Sequence, residues 1–255
     1  MGSFLFKELV MDVTLEIKRF DPGSEKEPAF EQYTIDVEPT DRVLDALMHI
    51  KRFEDGTLAF RKSCAHGVCG SDAMRINGKE RLACKTLIQD VVSADNTTVR
   101  LEPLRGFPVE KDLMVNQQTF FDKYRAVKPF LINDDPVEAK ERIQSPEQRK
   151  VFDNATNCIL CSACFSACPV MEANPKFLGP AAVVQAARFL DDSRDQGFEN
   201  RLPVLDASNG VWPCENHFEC TRNCPRGIKI TKLINQTKRR IEQYKDTPEI
   251  EKKTL

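Results

Sequence analysis

The sequence lacks the features that define several common classes of protein. It has no apolar stretch of about 18 residues, the length expected of a transmembrane helix. The most apolar helix candidate, Ala181 to Leu190, is interrupted by Gln185 and Arg188. The net charge of −2 lacks the basic excess of nucleic-acid-binding proteins. Neither a serine, histidine and aspartate set nor a phosphate-binding glycine loop is evident, so hydrolytic and nucleotide chemistry are not expected.

The first residues also lack targeting signals. Residues 1–11 contain the acidic Glu8 and only a broken apolar stretch, unlike a secretory signal peptide. Gly2 follows Met1, but Phe6 stands where a myristoylation motif has serine or threonine. An arginine-rich, acid-poor transit peptide is absent as well. These absences favour a bacterial cytoplasmic setting, in which disulfide bonds are rare.

Cysteine, in contrast, is abundant. The ten cysteines fall into three groups, which are Cys64, Cys69 and Cys84, then Cys158, Cys161, Cys164 and Cys168, then Cys214, Cys220 and Cys224. A disulfide framework does not suit the expected compartment. Zinc prefers closed sets of four ligands and does not explain why Cys168 and Cys224 each follow a three-residue gap and precede proline. Three separate iron–sulfur clusters are the interpretation that uses all ten cysteines.

The second group matches the bacterial ferredoxin pattern C-x2-C-x2-C-x3-C-P, whose fourth cysteine ligates the other cluster of a two-cluster module. Cys168 is therefore expected to belong elsewhere. The third group repeats the pattern with His217 in place of the second cysteine. By the same crossing rule, Cys224 completes the cluster that the second group begins. The predicted [4Fe-4S] ligands are Cys158, Cys161, Cys164 and Cys224.

The remaining cluster receives Cys168, Cys214 and Cys220, one ligand fewer than a four-iron cluster needs. A cubane that lacks one protein ligand readily lacks one iron, so the sequence predicts a [3Fe-4S] cluster. Ligation by His217 is the alternative. An imidazole that forms a hydrogen bond beside the cluster or lines a pocket is the other role open to it, because histidine ligation is uncommon outside Rieske-type centres.

The first group has the spacing C-x4-C-x2-D-x11-C, and Asp72 stands where the plant-type pattern has its third cysteine. The predicted [2Fe-2S] ligands are Cys64, Cys69, Asp72 and Cys84. Water, hydroxide or Ser71 as the fourth ligand is the alternative, with Asp72 as a solvated loop residue.

A hairpin explains why the last of these ligands lies far along the chain. Asn77-Gly78 is a strong signal for a type I′ turn. With these residues at the turn, Ile76 pairs with Lys79, and Cys84 comes opposite the residue just before Asp72. Facing Cβ atoms in such a pair lie about 5 Å apart. The hairpin therefore places Asp72 within reach of the same iron as Cys84.

The chain divides into a strand-rich part and a helical part. In residues 1–111, apolar residues alternate with polar ones in three segments around Leu15, Ile35 and Val99, with one helix from Val43 to Ile50. This order predicts an α+β protein whose N-terminal domain is a β-grasp, plant-type [2Fe-2S] ferredoxin. Residues 112–255 are predicted to form a mainly α-helical, bacterial-ferredoxin-like domain. Its helix starts include Ser145-Pro146 and Gly179-Pro180.

The order of these motifs resembles the iron–sulfur subunit of succinate dehydrogenase and fumarate reductase, respiratory complex II. The resemblance covers almost the whole chain and is strengthened by two segments, SCAHGVCGSDAMRINGKERLAC and NPKFLGPAAVVQAARFLDDSRD. It implies an electron-transfer subunit that relays electrons from an FAD-containing flavoprotein subunit through [2Fe-2S], [4Fe-4S] and [3Fe-4S] clusters to a membrane quinone. Aspartate replaces the third plant-type cysteine in some members, which supports Asp72 as a ligand.

The resemblance also implies partners and a location. Succinate oxidation occurs on the flavoprotein partner, so no substrate chemistry is expected on this chain. Hydrophobic membrane-anchor subunits bind the quinone at their interface, which places the chain peripherally on the cytoplasmic face of the bacterial inner membrane. Succinate dehydrogenase is the first expectation. A fumarate reductase working in the opposite direction is the alternative, because direction depends on potentials and quinone.

One departure from the family pattern concerns the quinone. In ubiquinone-reducing members of the family that this chain resembles, the first [3Fe-4S] cysteine begins the pattern C-P-x3-W. This chain has Ala173 at the position of the tryptophan. These members also tend to have histidine directly after the next cysteine, where this chain has Glu215. Menaquinone is therefore the expected quinone. The candidate quinone-binding residues are Pro169, Trp212, His217 and Lys238.

Two other classes of protein fit the sequence less well. A freestanding ferredoxin carrier is expected to be small and strongly acidic, and this chain is neither. The iron–sulfur subunit of a glycolate or glycerol-phosphate dehydrogenase usually has paired four-cysteine patterns without a domain like that from Cys64 to Cys84.

Overall fold

The computed structural model describes residues 10–24, 27–136 and 141–248. Residues 1–9, on which most of the expectations about targeting signals depend, lie outside the described residues. The chain forms two compact units that divide between Asn116 and Gln117. Within the described ranges, no helix has the length and apolar character needed to cross a membrane.

The first unit is built on a mixed five-stranded sheet with the strand order β2-β1-β5-β3-β4. Strand β1 pairs antiparallel with β2 and parallel with β5, and β3 pairs antiparallel with both β4 and β5. The strands are β1 (Met11–Arg19), β2 (Ala29–Val37), β3 (Ala73–Ile76), β4 (Lys79–Leu82) and β5 (Thr98–Glu102). This sheet confirms the strand-rich first part of the chain.

Alternation of apolar and polar residues decides which face of the sheet is buried. Val13, Leu15 and Ile17 on β1 are completely buried, as the period of two in the sequence predicts. Helix α1 (Val43–His49) follows β2 and continues into a turn of π-helix, Ile50–Glu54. Its buried side, which includes Leu47 and Ile50, adds to this core.

A small hairpin extends the first unit beyond the predicted boundary at residue 111. It consists of β6 (Val109–Lys111) and β7 (Met114–Val115). Asp112 in its turn is 1% exposed and accepts hydrogen bonds from the backbone amides of Phe20 at 2.9 Å and Ala59 at 2.8 Å. Arg19 also donates to Asp112 at 3.1 Å. This buried carboxylate fixes the hairpin to the first unit, which explains why the two units divide after Asn116.

The second unit is helical. Its helices are α2 (Gln118–Ala126), α3 (Pro146–Thr156), α4 (Ala163–Ser166), α5 (Pro169–Ala173), α6 (Pro180–Leu190), α7 (Phe198–Leu205), α8 (Glu219–Arg222) and α9 (Ile230–Asp246). Ser145 caps α3 in a reciprocal capping box with Gln148, and Gly179 precedes α6, so both predicted helix starts are confirmed. Helix α6 packs against α2, α3, α4, α7 and α9, and it is buried on nearly every side rather than along one face.

A buried arginine, paired with an aspartate, fixes α7 to the connection that follows α2. Arg201 on α7 and Asp195 are 0% and 1% exposed, and their side chains approach to 2.6 Å. Arg201 also donates to the carbonyl oxygens of Val127 at 3.2 Å and Phe130 at 2.7 Å. The connection has no regular secondary structure in its described part, yet one arginine satisfies several of its carbonyl groups.

Candidate iron–sulfur centres

All ten cysteines are free thiols, and they gather at three places. One place is a loop and hairpin of the first unit, and the other two are cavities in the second unit. Within the ranges that the structure describes, no three histidine, cysteine or acidic side chains converge closely enough to hold a single metal ion.

The loop between Cys64 and Cys69 directs backbone amides toward sulfur. Its left-handed residues include Ala65 at φ 57° and Gly67 at φ 81°. Cys64 Sγ accepts hydrogen bonds from the amides of His66, Val68 and Cys69 at 3.4 to 3.5 Å. These amides, with His66 contributing most, lower the pKa of Cys64 to about 6. The loop therefore stabilises a thiolate, the form of cysteine that binds metal.

Two features of the loop require glycine at position 67, namely the positive φ angle and the lack of space for a side chain. A Cβ atom at this position would lie 2.7 Å from the side chain of Lys85, closer than real Cβ atoms approach other atoms. The Gly67 amide also donates toward the sulfur of Cys84 and acts to lower that thiol's pKa. The backbone of the loop thus contacts Cys84, the last of the four predicted ligands along the chain.

The hairpin has the register predicted from the sequence. Ile76 pairs with Lys79, and Ala73 pairs with Leu82. Both turn residues are left-handed, with φ 49° at Asn77 and 77° at Gly78, as a type I′ turn requires. The pairing continues when the amide of Ala83 donates to the carbonyl of Asp72 at 3.1 Å. This extension brings Asp72 to Cys84.

Asp72 is a buried carboxylate that is only partly satisfied. It is 2% exposed, and Oδ2 accepts the backbone amide of Cys84 at 2.6 Å. Its Oδ1 is buried without a hydrogen-bond partner among the described residues. Burial and the neighbouring Asp72 raise the pKa of Cys84 to about 12. A carboxylate oxygen without a partner beside a buried thiol fits a site for a metal cation, which would stabilise both anions.

Ser71, the alternative fourth ligand, has a different environment. Its hydroxyl lies 3.2 Å from Cys69 Sγ. The serine therefore already has a hydrogen-bond partner, whereas Asp72 Oδ1 has none in the described part of the chain. The donor set of three thiols and one carboxylate fits a [2Fe-2S] cluster better than a set that includes Ser71.

The second site is a small cavity, partly open to solvent, among α4, α6 and the loop after Cys224. Its lining includes Cys158, Cys161, Cys164 and Cys224. Burial raises the pKa of Cys158, that of Cys161 to about 12, and that of Cys164 well above its ordinary value. Buried thiols of this kind become thiolates when a metal supplies positive charge, which agrees with a cluster site.

The third site is a small cavity, also partly open to solvent, and its lining includes Cys168, Cys214 and Cys220. Burial raises the pKa of Cys168 and Cys220. The hydroxyl of Thr231 on α9 lies 3.5 Å from Cys220 Sγ. The two cavities divide the seven cysteines of this unit into a set of four and a set of three.

The two cysteine segments share a backbone conformation. In the first, Leu160 and Ser162 are left-handed, with φ of 54° and 65°. In the second, Asn216 and Phe218 occupy the same positions and have φ of 61° and 64°. Each segment then enters a four-residue helix, α4 or α8. The two cysteine segments thus form a structural repeat, although their sequences are not identical.

His217 occupies the position in this repeat that Cys161 occupies in the first segment. Its side chain is 46% exposed, and Nε2 lies 3.0 Å from Glu215 Oε2. His217 lines the third cavity, but its ring nitrogen is directed to a carboxylate in this structure. This arrangement fits a cluster that receives three thiolates from the chain.

Similar proteins agree with this geometry. The model described as a 2Fe-2S iron-sulfur cluster binding domain matches residues 14–122. The model described as a 4Fe-4S dicluster domain matches residues 154–228. The matched regions contain all three candidate sites.

Relatives over nearly the full length identify the family. A fumarate reductase iron-sulfur subunit of Mycobacterium tuberculosis is 42% identical over 228 residues, which are 89% of this chain and 91% of the relative. A succinate dehydrogenase iron-sulfur subunit of Coxiella burnetii is 38% identical over 239 residues, 93% of this chain and 100% of the relative. The chain belongs to the family of succinate dehydrogenase and fumarate reductase iron–sulfur subunits.

A solved structure extends this agreement to the fold of the iron–sulfur subunit. A chain of the Mycobacterium smegmatis Sdh1 complex in the apo form matches with a TM-score of 0.83 and 27% identity, over 94% of this chain and 99% of that chain. The resemblance stated from the sequence is confirmed, as is the α+β architecture with a [2Fe-2S] domain before a helical ferredoxin-like region. The chain is thus a subunit of an oxidoreductase.

The residues predicted for quinone binding in this iron–sulfur subunit are not all at one place. Pro169 and His217 line the third cavity. Lys238 donates to the backbone carbonyl of Cys214 at 2.8 Å, and its Nζ lies 3.5 Å from that of Trp212. Trp212 itself is absent from the lining, and its indole donates to the Asp206 side chain at 3.0 Å.

Sequence reasoning did not find Thr231 or Phe218. Thr231 contacts Cys220, a candidate ligand that lies eleven residues earlier in the chain. The sequence indicates this contact only by placing a threonine in the buried first turn of α9. Phe218 is 48% exposed at the edge of the third cavity. The sequence could have indicated Phe218 only through the repeat, because Phe218 stands at the left-handed position just before the short helix α8.

Proposed function

We propose that this chain is the electron-transfer subunit of a succinate dehydrogenase, connecting a flavoprotein subunit with a membrane quinone, menaquinone. When bound, its clusters supply one-electron transfer along the chain. The proposed ligands are Cys64, Cys69, Asp72 and Cys84 for [2Fe-2S], Cys158, Cys161, Cys164 and Cys224 for [4Fe-4S], and Cys168, Cys214 and Cys220 for [3Fe-4S].

The observation that carries this proposal is the division of cysteines between the two cavities. Cys224 belongs to the third sequence group but lines the cavity of the second group. Cys168 belongs to the second group but lines the cavity of the third. This exchange is the one that the ferredoxin pattern requires, and a pair of unrelated structural zinc sites has no need of it.

The protein's own groups then determine the properties of each site. Amides directed at Cys64, the carboxylate of Asp72 and the hydroxyl of Thr231 provide hydrogen bonds and charge next to the ligand sulfurs. Such contacts, with burial, set cluster potentials. Burial of Cys164 and Cys220 also limits the access of water to these two sulfurs.

For the quinone, we propose a site beside the third cavity that uses Pro169, His217, Lys238 and Trp212. Lys238 supports the loop of Cys214 and links it to Trp212. The choice of menaquinone depends on Ala173 and Glu215, which replace the tryptophan and histidine expected with ubiquinone. The proposed location is the cytoplasmic face of a bacterial membrane, where hydrophobic subunits hold the complex.

Fumarate reductase is the second candidate, and the 42% identity to the M. tuberculosis subunit of that description favours it. The two functions use the same clusters and the same partners. They differ in the direction of electron flow, which the potentials and the quinone determine.

The test is purification of the intact complex from its native membrane. We expect a flavoprotein and hydrophobic subunits to co-purify, and succinate oxidation to reduce a menaquinone analogue faster than a ubiquinone analogue. Fumarate reduction by menaquinol that exceeds succinate oxidation would support the second candidate. Purification of the chain without a flavoprotein, with no activity in either direction, would contradict both.

A further inference from the structure

Lys123 on α2 brings a positive charge into a packed region of the second unit. Its side chain is half-buried. Nζ donates to the carbonyl oxygens of Pro175 and Phe177, each at 2.5 Å. The same nitrogen lies 5.3 Å from the centre of the Phe165 ring. Lys123 is therefore anchored in one place rather than extended into solvent.

The position of Phe165 relates Lys123 to two candidate centres. Phe165 lies on α4, directly after Cys164 and three residues before Cys168. Cys164 lines the second cavity, and Cys168 lines the third. The ammonium group thus lies beside the ring of a residue that stands between a proposed [4Fe-4S] ligand and a proposed [3Fe-4S] ligand in the chain.

In the described part of the chain, the charged group of Lys123 is surrounded by neutral groups. Over the residues that the structure describes, its Nζ contacts neutral carbonyl groups and the face of a ring, and no acidic side chain forms an ion pair with it. The nearby Asp122 pairs with Arg125 instead. Burial lowers the pKa of Lys123, with no acidic group acting to raise it. A charge in such surroundings acts at longer range than a solvated one, because the local dielectric constant is low.

We propose that Lys123 tunes the clusters of the second unit, raising the reduction potentials of both the [4Fe-4S] and the [3Fe-4S] centre. This inference rests on the ligand sets given under the proposed function. Reduction adds negative charge to a cluster, so a fixed cation nearby favours the reduced state. Because Lys123 lies beside Phe165, which stands between the two ligands in the chain, its charge acts on both centres together.

The test is an EPR-monitored redox titration of the intact complex carrying Lys123→Met. We expect both midpoint potentials to shift to lower values, while Lys123→Arg, which keeps the charge, retains the wild-type values. Arg125→Met is the matched control, since it removes the same charge from the same helix at a side chain that is 63% exposed. It should leave both potentials unchanged. Lys123→Gln replaces Lys123→Met if the latter does not assemble, with the same expected shift.

A purely structural role gives a different result. If Lys123 only holds the segment around Pro175 and Phe177, its replacement lowers the thermal stability of the complex and leaves both potentials unchanged, which would overturn the inference. Equal shifts in Lys123→Arg and Lys123→Met would also overturn it, because charge would not be the cause. If the wild type lacks these two centres, the proposed function fails and this inference fails with it.

Discussion

At the scale of single residues, Asp72 has the clearest chemical signature in the first unit. It is buried, it binds the amide of Cys84 through one oxygen, and its other oxygen has no partner among the described residues. A solvated loop aspartate, the alternative considered from the sequence, would not be 2% exposed. The sequence predicted the proximity of Asp72 to Cys84 because a two-residue turn fixes hairpin register, but it contained no measure of burial.

We predict that Asp72→Cys retains a [2Fe-2S] centre but raises its reduction potential and alters its EPR line shape. Oxygen is a harder donor than sulfur and favours ferric iron, so its loss should ease reduction. Asp72→Asn, which keeps the shape and removes the charge, should weaken or abolish the centre. Asp95→Asn, at an exposed loop position, is the control. An unchanged spectrum and potential in Asp72→Cys would mean that Asp72 is not a ligand.

His217 is the second residue whose role can be decided by substitution. We predict that His217→Cys converts the third centre from [3Fe-4S] to [4Fe-4S] and lowers its potential, because the new thiolate stands where Cys161 stands in the first segment. His217→Ala should leave a three-iron centre in place. Mössbauer and EPR spectra distinguish the two cluster types. A four-iron centre in the wild type, lost in His217→Ala, would instead identify His217 as a ligand.

At the scale of elements, the two cysteine segments act as one repeated structural unit. Both combine two left-handed residues with a four-residue helix. The sequence predicted the relation from cysteine spacing alone, because metal ligation restricts that spacing. It did not predict the orientation of the His217 side chain, which depends on the neighbouring carboxylate of Glu215.

Other elements are fixed by buried charges that leave no periodic signal in the sequence. Asp112 attaches the β6–β7 hairpin to the first unit, and Arg201 attaches the segment around Phe130 to α7. Apolar periodicity locates strands and helices, but a single buried charge and its partner are determined by tertiary structure. This is why the sequence placed the change of domain at residue 112, whereas the compact units divide after Asn116.

We predict that Asp195→Asn destabilises the protein by about 3–5 kcal/mol, because it leaves Arg201 charged and buried without its anionic partner. The pair is 0% and 1% exposed, so solvent cannot compensate. Asp153→Asn breaks the exposed ion pair with Arg149 and should cost at most about 1 kcal/mol. Thermal unfolding of the purified complex, followed by circular dichroism, measures the difference. Equal effects of the two changes would contradict the importance of the buried pair.

At the scale of the whole molecule, the three candidate sites follow one another along the chain in the order that the resemblance implies for the clusters. The first unit contains the site built on a loop and hairpin, and the second unit contains both cavities. The family and the fold could be predicted from the sequence because cysteine spacing and strand alternation are local patterns. The charge at Lys123 could not, because it becomes informative only when its distance to Phe165 is known.

The central claim is that the second unit exchanges one cysteine between two clusters, and Cys224→Ser tests it most directly. EPR spectra of the intact complex should show a perturbed or missing [4Fe-4S] centre and a retained [3Fe-4S] centre, although Cys224 follows Cys214 and Cys220 in sequence. The matched change Cys168→Ser should do the opposite. Loss of the [3Fe-4S] signal in Cys224→Ser, with the [4Fe-4S] signal intact, would contradict the account.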